Sequence, residues 1–345
     1  MTTVLVTGGA GYIGCVLVRK LLEQGFQVRV LDRLYWGRQP LQDVAGQIEL
    51  FHGDIRDIKD EWLQGVDAVV HLAGLSNDPT AEFDPQANWE MNAVATERLA
   101  QACKRLGVSR LTFGSSCSIY DGLPSGIDYT EDHEVRAQGA YAEAKYAAEK
   151  SLRELADESF CPVILRQGTV YGFSPRMRYD LVVNTFLKDA LQAGRLYLHG
   201  GGWMWRPLVD VADAADAHIA CLLAPADKVR GEIFNVMQDN YQIRALAMMV
   251  AGTLRLEDTD VRLEEVPAPP RMRDYRCSKD KMTRVLGFTP QITVLSSIAN
   301  MLTAINRNGF TEFDHPRYYN IRWMELLSDV HENLRPFDHV LRQGR

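Results

Sequence analysis

The tightest constraint on this chain lies near its start. Gly8-Gly9-Ala10-Gly11-Tyr12-Ile13-Gly14 follows the β-branched run Thr3-Val4-Leu5-Val6-Thr7 and precedes a stretch with helical apolar spacing over 13–24. Glycines at these intervals let the backbone turn sharply from strand to helix and leave room for a ligand to approach the main chain. The N–H groups that a helix leaves unpaired at its first turn then face that ligand, which favours a pyrophosphate. Asp32 ends the next strand-like run, 18 residues after Gly14. An acid there accepts hydrogen bonds from ribose hydroxyls and repels a 2′-phosphate. The adjacent Arg33 works the other way, because its cation would welcome that phosphate. The residues together point to NAD as cofactor, held at Gly8, Gly11, Tyr12, Ile13, Gly14, Asp32 and Arg33.

Beyond the loop, strand-like runs recur at Gln27–Leu31, Ile48–His52, Asp67–Leu72, Arg110–Phe113 and Pro162–Leu165. Helical patterns over 57–64, 88–106 and 139–156 separate them. This alternation predicts an α/β fold, a Rossmann doubly wound parallel sheet over 1–166. From about 167 the alternation loosens and Gly, Pro and Arg become common. A smaller α/β substrate-binding domain is therefore expected over 167–345, with about 205–236 returning to the first. Trp203 and Trp205 alternate like one face of a strand, and Met248-Met249 reads as helix core. Hydrophobic residues at 46% and charged residues at 24% over 345 positions supply a sizeable core and argue against disorder. A net charge of −7 and the lack of any basic run argue against a nucleic-acid or anionic-membrane partner. No apolar run approaches the ~20 residues that cross a bilayer. The first residues carry no charged leader, and the six scattered cysteines form no CxxC pair. A cytoplasmic protein with reduced thiols is the expectation. The eight histidines show no metal-binding spacing, so no metal is expected.

Tyr141-Ala142-Glu143-Ala144-Lys145 places a tyrosine and a lysine at i and i+4, on one face of a helix. A phenol near pKa ~10 is a poor base at neutral pH, but neighbouring cations favour its phenolate and make proton abstraction feasible. The glycine loop, Asp54-Ile55, His71-Leu72-Ala73-Gly74, Asn92 and the Tyr-Lys pair stand in an order and spacing that resemble the extended short-chain dehydrogenase/reductases. The resemblance is to their nucleotide-sugar epimerase/dehydratase branch and runs from residue 3 to about 306. It implies that Asp54 and Ile55 contact the adenine and that Leu72, Ala73, Gly74, Asn92 and Gly168 lie along the cofactor. Lys145 would bind the nicotinamide ribose beside Tyr141. Ser116, 25 residues before Tyr141, matches the family's catalytic Ser/Thr, which aims the reacting hydroxyl at the tyrosine.

Two neighbours narrow the chemistry. The branch's 4,6-dehydratases follow that Ser/Thr with Asp-Glu, and its 3,5-epimerases carry a cysteine at the second of these positions. Here Cys117 and Ser118 occupy them, and Cys117 reads as a packed thiol. On the substrate side, Thr169 stands where the family has an asparagine, while Arg206, Arg273 and Arg178 are candidates for the diphosphate. The resemblance thus implies an NAD-dependent epimerase of a nucleotide-activated sugar, acting at C4 through a 4-keto intermediate. A nucleotide-sugar 4-dehydrogenase or reductase that releases its cofactor is the alternative, and a non-catalytic NAD-binding protein is a third reading. A homodimer is expected through the helices at about 90–106 and 139–156. The second of these carries Ala140, Ala142, Ala144, Ala147 and Ala148.

Overall fold

The computed structural model describes residues 2–334. The last part of the 167–345 segment, 335–345, lies outside the described residues. Seven parallel strands form the central sheet: β1 (Thr3–Thr7), β2 (Gln27–Asp32), β3 (Ile48–His52), β4 (Ala68–His71), β5 (Arg110–Ser116), β6 (Cys161–Gln167) and β7 (Ile233–Val236). Their order across the sheet is β3-β2-β1-β4-β5-β6-β7, so the chain reverses direction of growth between β1 and β4. In open parallel sheets a ligand crevice forms at that reversal, outside the carboxyl ends of the strands.

The alternation within β1 shows how the sheet is covered. Val4 and Val6 pack on the face that meets Leu17 and Val18 of α1 (Gly14–Glu23) and Ile219 of a later helix. Leu5 points to the opposite face, where Leu99 of α2 (Ala95–Arg105) and Leu152 of α3 (Ala140–Leu155) close the second layer. Burying both faces explains why β1 has no polar alternation.

The chain after β6 builds a second layer system. Thr169–Tyr171, Trp205–Asp210 and Asp239–Gln242 form one small sheet, and Arg195–His199 pairs with Arg262–Val266. Tyr179, Leu187, Leu196, Leu246 and Ile298 are buried in its core. Within this stretch α4 (Val211–Leu223) and β7 go back to the first layer system: α4 lies against α1, where Lys20 pairs with Asp216 at 2.9 Å, and β7 pairs with β6.

Three local expectations differ from the structure. The helix expected over 57–64 is one turn, Asp60–Leu63, because the preceding residues form a 3₁₀ turn at Ile55–Asp57. The helix over 88–106 contains a π-helical turn at Glu90–Val94, which admits an extra residue and carries Asn92 inward. Trp203 and Met248 are not core: they are 59% and 60% exposed. Trp203 instead lies under the Arg244 guanidinium at 5.2 Å.

Candidate active site

At the carboxyl ends of β1, β2, β4 and β5 lies a continuous cavity of about 530 Å³. Its floor is the turn from β1 into α1. Gly8 adopts φ +73, and a Cβ there would stand 2.7 Å from the Ala73 amide nitrogen. A Cβ on Gly14 would stand 2.1 Å from the Gly8 carbonyl oxygen. Side chains are therefore excluded by backbone, not by adjustable neighbours. Among the described residues no side chain caps α1, and no acid sits in its first turn, so the loop presents amides to the cavity. This cradle fits a pyrophosphate.

Asp32, at the end of β2, lines the cavity beside this turn. Its carboxylate accepts from the Ala10 amide at 3.0 Å and the Leu34 amide at 2.7 Å, while burial pushes its pKa up against those bonds. Arg33 does not stand free for a 2′-phosphate: its Nη1 donates to Asp54 at 2.8 Å, and its guanidinium lies 4.6 Å from the Tyr35 ring. Burial works against the Asp54 charge, yet Arg56 and Arg33 hold that carboxyl below its ordinary range. Ile55, Leu72, Ala73 and Gly74 line the same wall. His71, at the end of β4, is structural. It sits fully buried between Thr7 Oγ1 at 2.7 Å and Thr96 Oγ1 at 2.9 Å, and burial pulls its pKa down to about 3.

Asn92 lies behind that wall and does not line the cavity. Its Nδ2 donates to the Leu75 carbonyl at 2.9 Å and to Asn88 Oδ1 at 2.7 Å. A Cβ at Gly74 would meet its Oδ1 at 2.1 Å. Asn92 thus shapes the Gly74–Leu75 turn that the cavity touches.

Ser116 and Tyr141 open on the far end of the cavity. Ser116 ends β5, where its Oγ accepts from the Ser118 amide at 3.1 Å. Tyr141 stands in the first turn of α3. Burial raises the Tyr141 phenol to about 12, while the Arg178 cation and the Ser116 hydroxyl act to lower it. Lys145, one turn on, is buried behind Tyr141 and does not line the cavity; its Nζ donates to the Gly114 carbonyl at 3.0 Å and lies 5.9 Å from the Tyr141 ring. Burial draws its pKa down to about 8, against the raising effect of Glu149. Cys117 and Ser118 are both buried beneath Ser116, and Cys117 Sγ lies 3.0 Å from the Arg166 carbonyl.

Gly168, Thr169, Arg178, Arg206 and Arg273 complete the opposite side. Arg178 is locked in a bidentate pair with Asp180 at 2.7 and 2.9 Å. Arg206 donates to the carbonyls of Trp205 and Arg273, and Arg273 pairs with Asp78. The acidic groups lining the cavity among the described residues are Asp32, Asp54 and Asp180, and each is already engaged.

The sequence reading missed one side of the site. Arg176, Ser76, Asn77, Asn320 and Met324 also line it, the last two from a C-terminal helix, Asn320–Leu334, beyond the segment that carries the family resemblance. Arg176 was visible only as a charge in Pro175-Arg176-Met177-Arg178. Nothing in the local pattern joins residues 76, 176 and 320.

Residues 4–236 match the family model described as the NAD dependent epimerase/dehydratase family. A UDP-glucose 4-epimerase of Mycolicibacterium smegmatis is 31% identical over 312 residues, 86% of this chain and 96% of that protein. One of Corynebacterium glutamicum is 29% identical, covering 85% of this chain and 92% of that protein. Among solved structures, MoeE5 in complex with UDP-glucuronic acid and NAD superposes with a TM-score of 0.77 at 26% identity, over 88% of this chain and 99% of its own. The Thermus thermophilus UDP-glucose 4-epimerase complex with NAD gives 0.73 at 27% identity, over 88% of this chain and 100% of its own.

Proposed function

Because the chain belongs to the NAD-dependent epimerase/dehydratase family, we propose that Ser116, Tyr141 and Lys145 serve a reversible oxidation that inverts C4 of a nucleotide-activated sugar. The protein is an NAD-dependent nucleotide-sugar epimerase. UDP-sugars are the substrate class that the named relatives favour. The observation that carries the residue assignment is the placing of Ser116 and Tyr141 on the same cavity as the Gly8–Gly14 cradle.

NAD, when bound, supplies a hydride acceptor and then a hydride donor. The chain's own residues do the rest. Ser116 holds the sugar hydroxyl toward Tyr141, and Tyr141 takes its proton. When the keto sugar has turned over, the same tyrosine returns that proton. Lys145 braces the tyrosine's helix against β5 through Gly114 and lends positive charge from behind the phenol. Thr169, Arg178, Arg206 and Arg273 are the proposed contacts to the nucleotide-sugar, and the cavity wall from Gly8 to Gly74 with Gly168 is the proposed cofactor contact. Elimination of water would need a free acid and base beside Ser116. The neighbouring Cys117 and Ser118 offer neither, and the cavity's carboxylates are occupied.

Arg178 acts on Tyr141 as well as on substrate in this scheme. A cation near the phenol favours the phenolate and lowers its pKa, so removing it raises that pKa. In Arg178→Gln the rising limb of the rate–pH profile is therefore expected to move to higher pH. A lowered rate with an unmoved limb would confine Arg178 to substrate binding.

A cytoplasmic homodimer completes the reading. All six cysteines are free and buried, which suits a reducing compartment. Among the described residues no helix is long and apolar enough to cross a membrane. Ala142, Ala144 and Ala148 are consumed by packing within the chain, so Ala140 and Ala147 are the alanines of α3 left for a partner. Light scattering at micromolar concentration is expected to return twice the 38.9 kDa chain mass, and the single mass would refute the dimer.

The purified protein, mixed with UDP-glucose or UDP-galactose without added cofactor, is expected to interconvert them with no net gain in absorbance at the reduced-nicotinamide band. A stoichiometric rise in that band, with loss of activity until NAD is resupplied, would indicate the dehydrogenase instead.

A further inference from the structure

Five arginines line the cavity, and among the described residues four have their cation answered by the protein. Arg33 meets Asp54, Arg178 meets Asp180, Arg273 meets Asp78, and Arg206 lies on carbonyl oxygens. Arg176 is different. It is 5% exposed, and among the described residues it has no carboxylate partner and its buried Nε and Nη1 have no hydrogen bond. Only Nη2 is held, by Asn320 Oδ1 at 2.5 Å, while the guanidinium lies 4.0 Å from the Trp36 ring centroid. A buried cation left with unpaired donors is costly unless an anion completes it. Burial, helped by the neighbouring Arg178 charge, draws its pKa down to about 9, as expected for a guanidinium short of counter-charge.

Its position names the anion. The Arg176 amide donates to Ser174 Oγ at 3.3 Å, and that hydroxyl donates to the Tyr12 carbonyl at 2.7 Å. Tyr12 is in the turn that opens the ten-residue helix α1, whose N-terminus has no side-chain cap among the described residues. Ser174 thus ties the Arg176 main chain to the turn, and the helix N-terminus and the buried guanidinium line the same cavity.

We propose that Arg176 binds the pyrophosphate of the dinucleotide from the side opposite α1, and that Asn320 positions it. The inference rests on the NAD reading above and adds a retention device to it. The C-terminal helix that carries Asn320 is tied across the cavity by three further bonds. Asn320 Nδ2 donates to Ser76 Oγ at 2.8 Å, its amide donates to Asp180 at 3.0 Å, and Trp323 Nε1 donates to the Tyr35 carbonyl at 2.7 Å. Cofactor bound to Arg176 is thereby held beneath a strap that must loosen before release. An epimerase needs this, because its reduced cofactor must stay while the keto sugar turns.

The test uses wild type, Arg176→Ala, Arg176→Lys and Asn320→Ala, each freed of bound nucleotide and titrated with NAD, ADP, 2′,5′-ADP and adenosine. Arg176→Ala is expected to weaken NAD and ADP about 10- to 100-fold and adenosine by less than about twofold, the range for lost charge-assisted bonds. Arg176→Lys should recover part of that loss. Asn320→Ala should speed NADH release in a stopped-flow chase. Unchanged NAD and ADP affinity in Arg176→Ala, with wild type binding NAD normally, overturns the inference alone. Equal losses for adenosine would reduce Arg176 to a wall residue, and a loss confined to 2′,5′-ADP would place it at the ribose; either result overturns it. Wild type that binds neither NAD nor ADP would overturn the NAD reading as well.

Discussion

Tyr141→Phe is expected to keep the fold and the NAD affinity while turnover falls at least ~100-fold, the scale of a lost general base. Phenylalanine preserves the ring that α3 presents to the cavity and the 5.9 Å approach of Lys145, and removes only the hydroxyl. That hydroxyl is buried enough to sit near pKa 12, so its ability to take a proton depends on nearby cations and on Ser116. Near-normal turnover in the variant, measured with saturating substrate, would remove Tyr141 from the chemistry.

Gly14→Ala is expected to act on binding. The added methyl would lie 2.1 Å from the Gly8 carbonyl oxygen and 2.7 Å from the Gly9 Cα, both backbone atoms. Neither can rotate away, so the turn must open and α1 must move off β1. Overpacking of this kind costs about 1–3 kcal/mol or more. The amides aimed at the pyrophosphate move with the turn, and NAD affinity is expected to drop at least ~30-fold, the equivalent of about 2 kcal/mol. Calorimetric titration of NAD reads this directly. Affinity within about twofold of wild type, less than about 0.5 kcal/mol, would mean that the loop does not bind the cofactor.

The contrast between these two sites and Arg176 shows what a sequence can carry. Gly8, Gly11 and Gly14 announce themselves because one short segment must satisfy turn, helix start and close approach together. Tyr141 and Lys145 are legible because a single helix sets their spacing. That the sheet is parallel and covered on both faces follows from the strand–helix alternation, whereas its strand order, with β2 and β3 joined through a 3₁₀ segment at Gln39–Gln47, emerges only in the fold. The Arg176–Asn320–Ser76 contact arises from three segments spread over 244 positions, and no periodicity links them. The π turn at Glu90–Val94 was equally hidden, because an extra residue in a helix leaves the apolar pattern nearly unchanged while redirecting Asn92. Lys145 illustrates the intermediate case. Its spacing shows its helix face, but only the packing shows that its ammonium reaches the Gly114 carbonyl and lies behind the cavity wall.

The most direct test of inversion by hydride return is made in deuterated water. UDP-glucose is incubated with the purified protein, and the sugar is recovered for proton NMR and mass measurement. Inversion at C4 with no deuterium at that carbon and no loss of water is the expected result, since the hydrogen leaves and returns as hydride. Deuterium at the inverted carbon, or a product lighter by the mass of one water, would contradict hydride return and with it the roles of Ser116 and Tyr141 as guide and acceptor for the C4 hydroxyl proton.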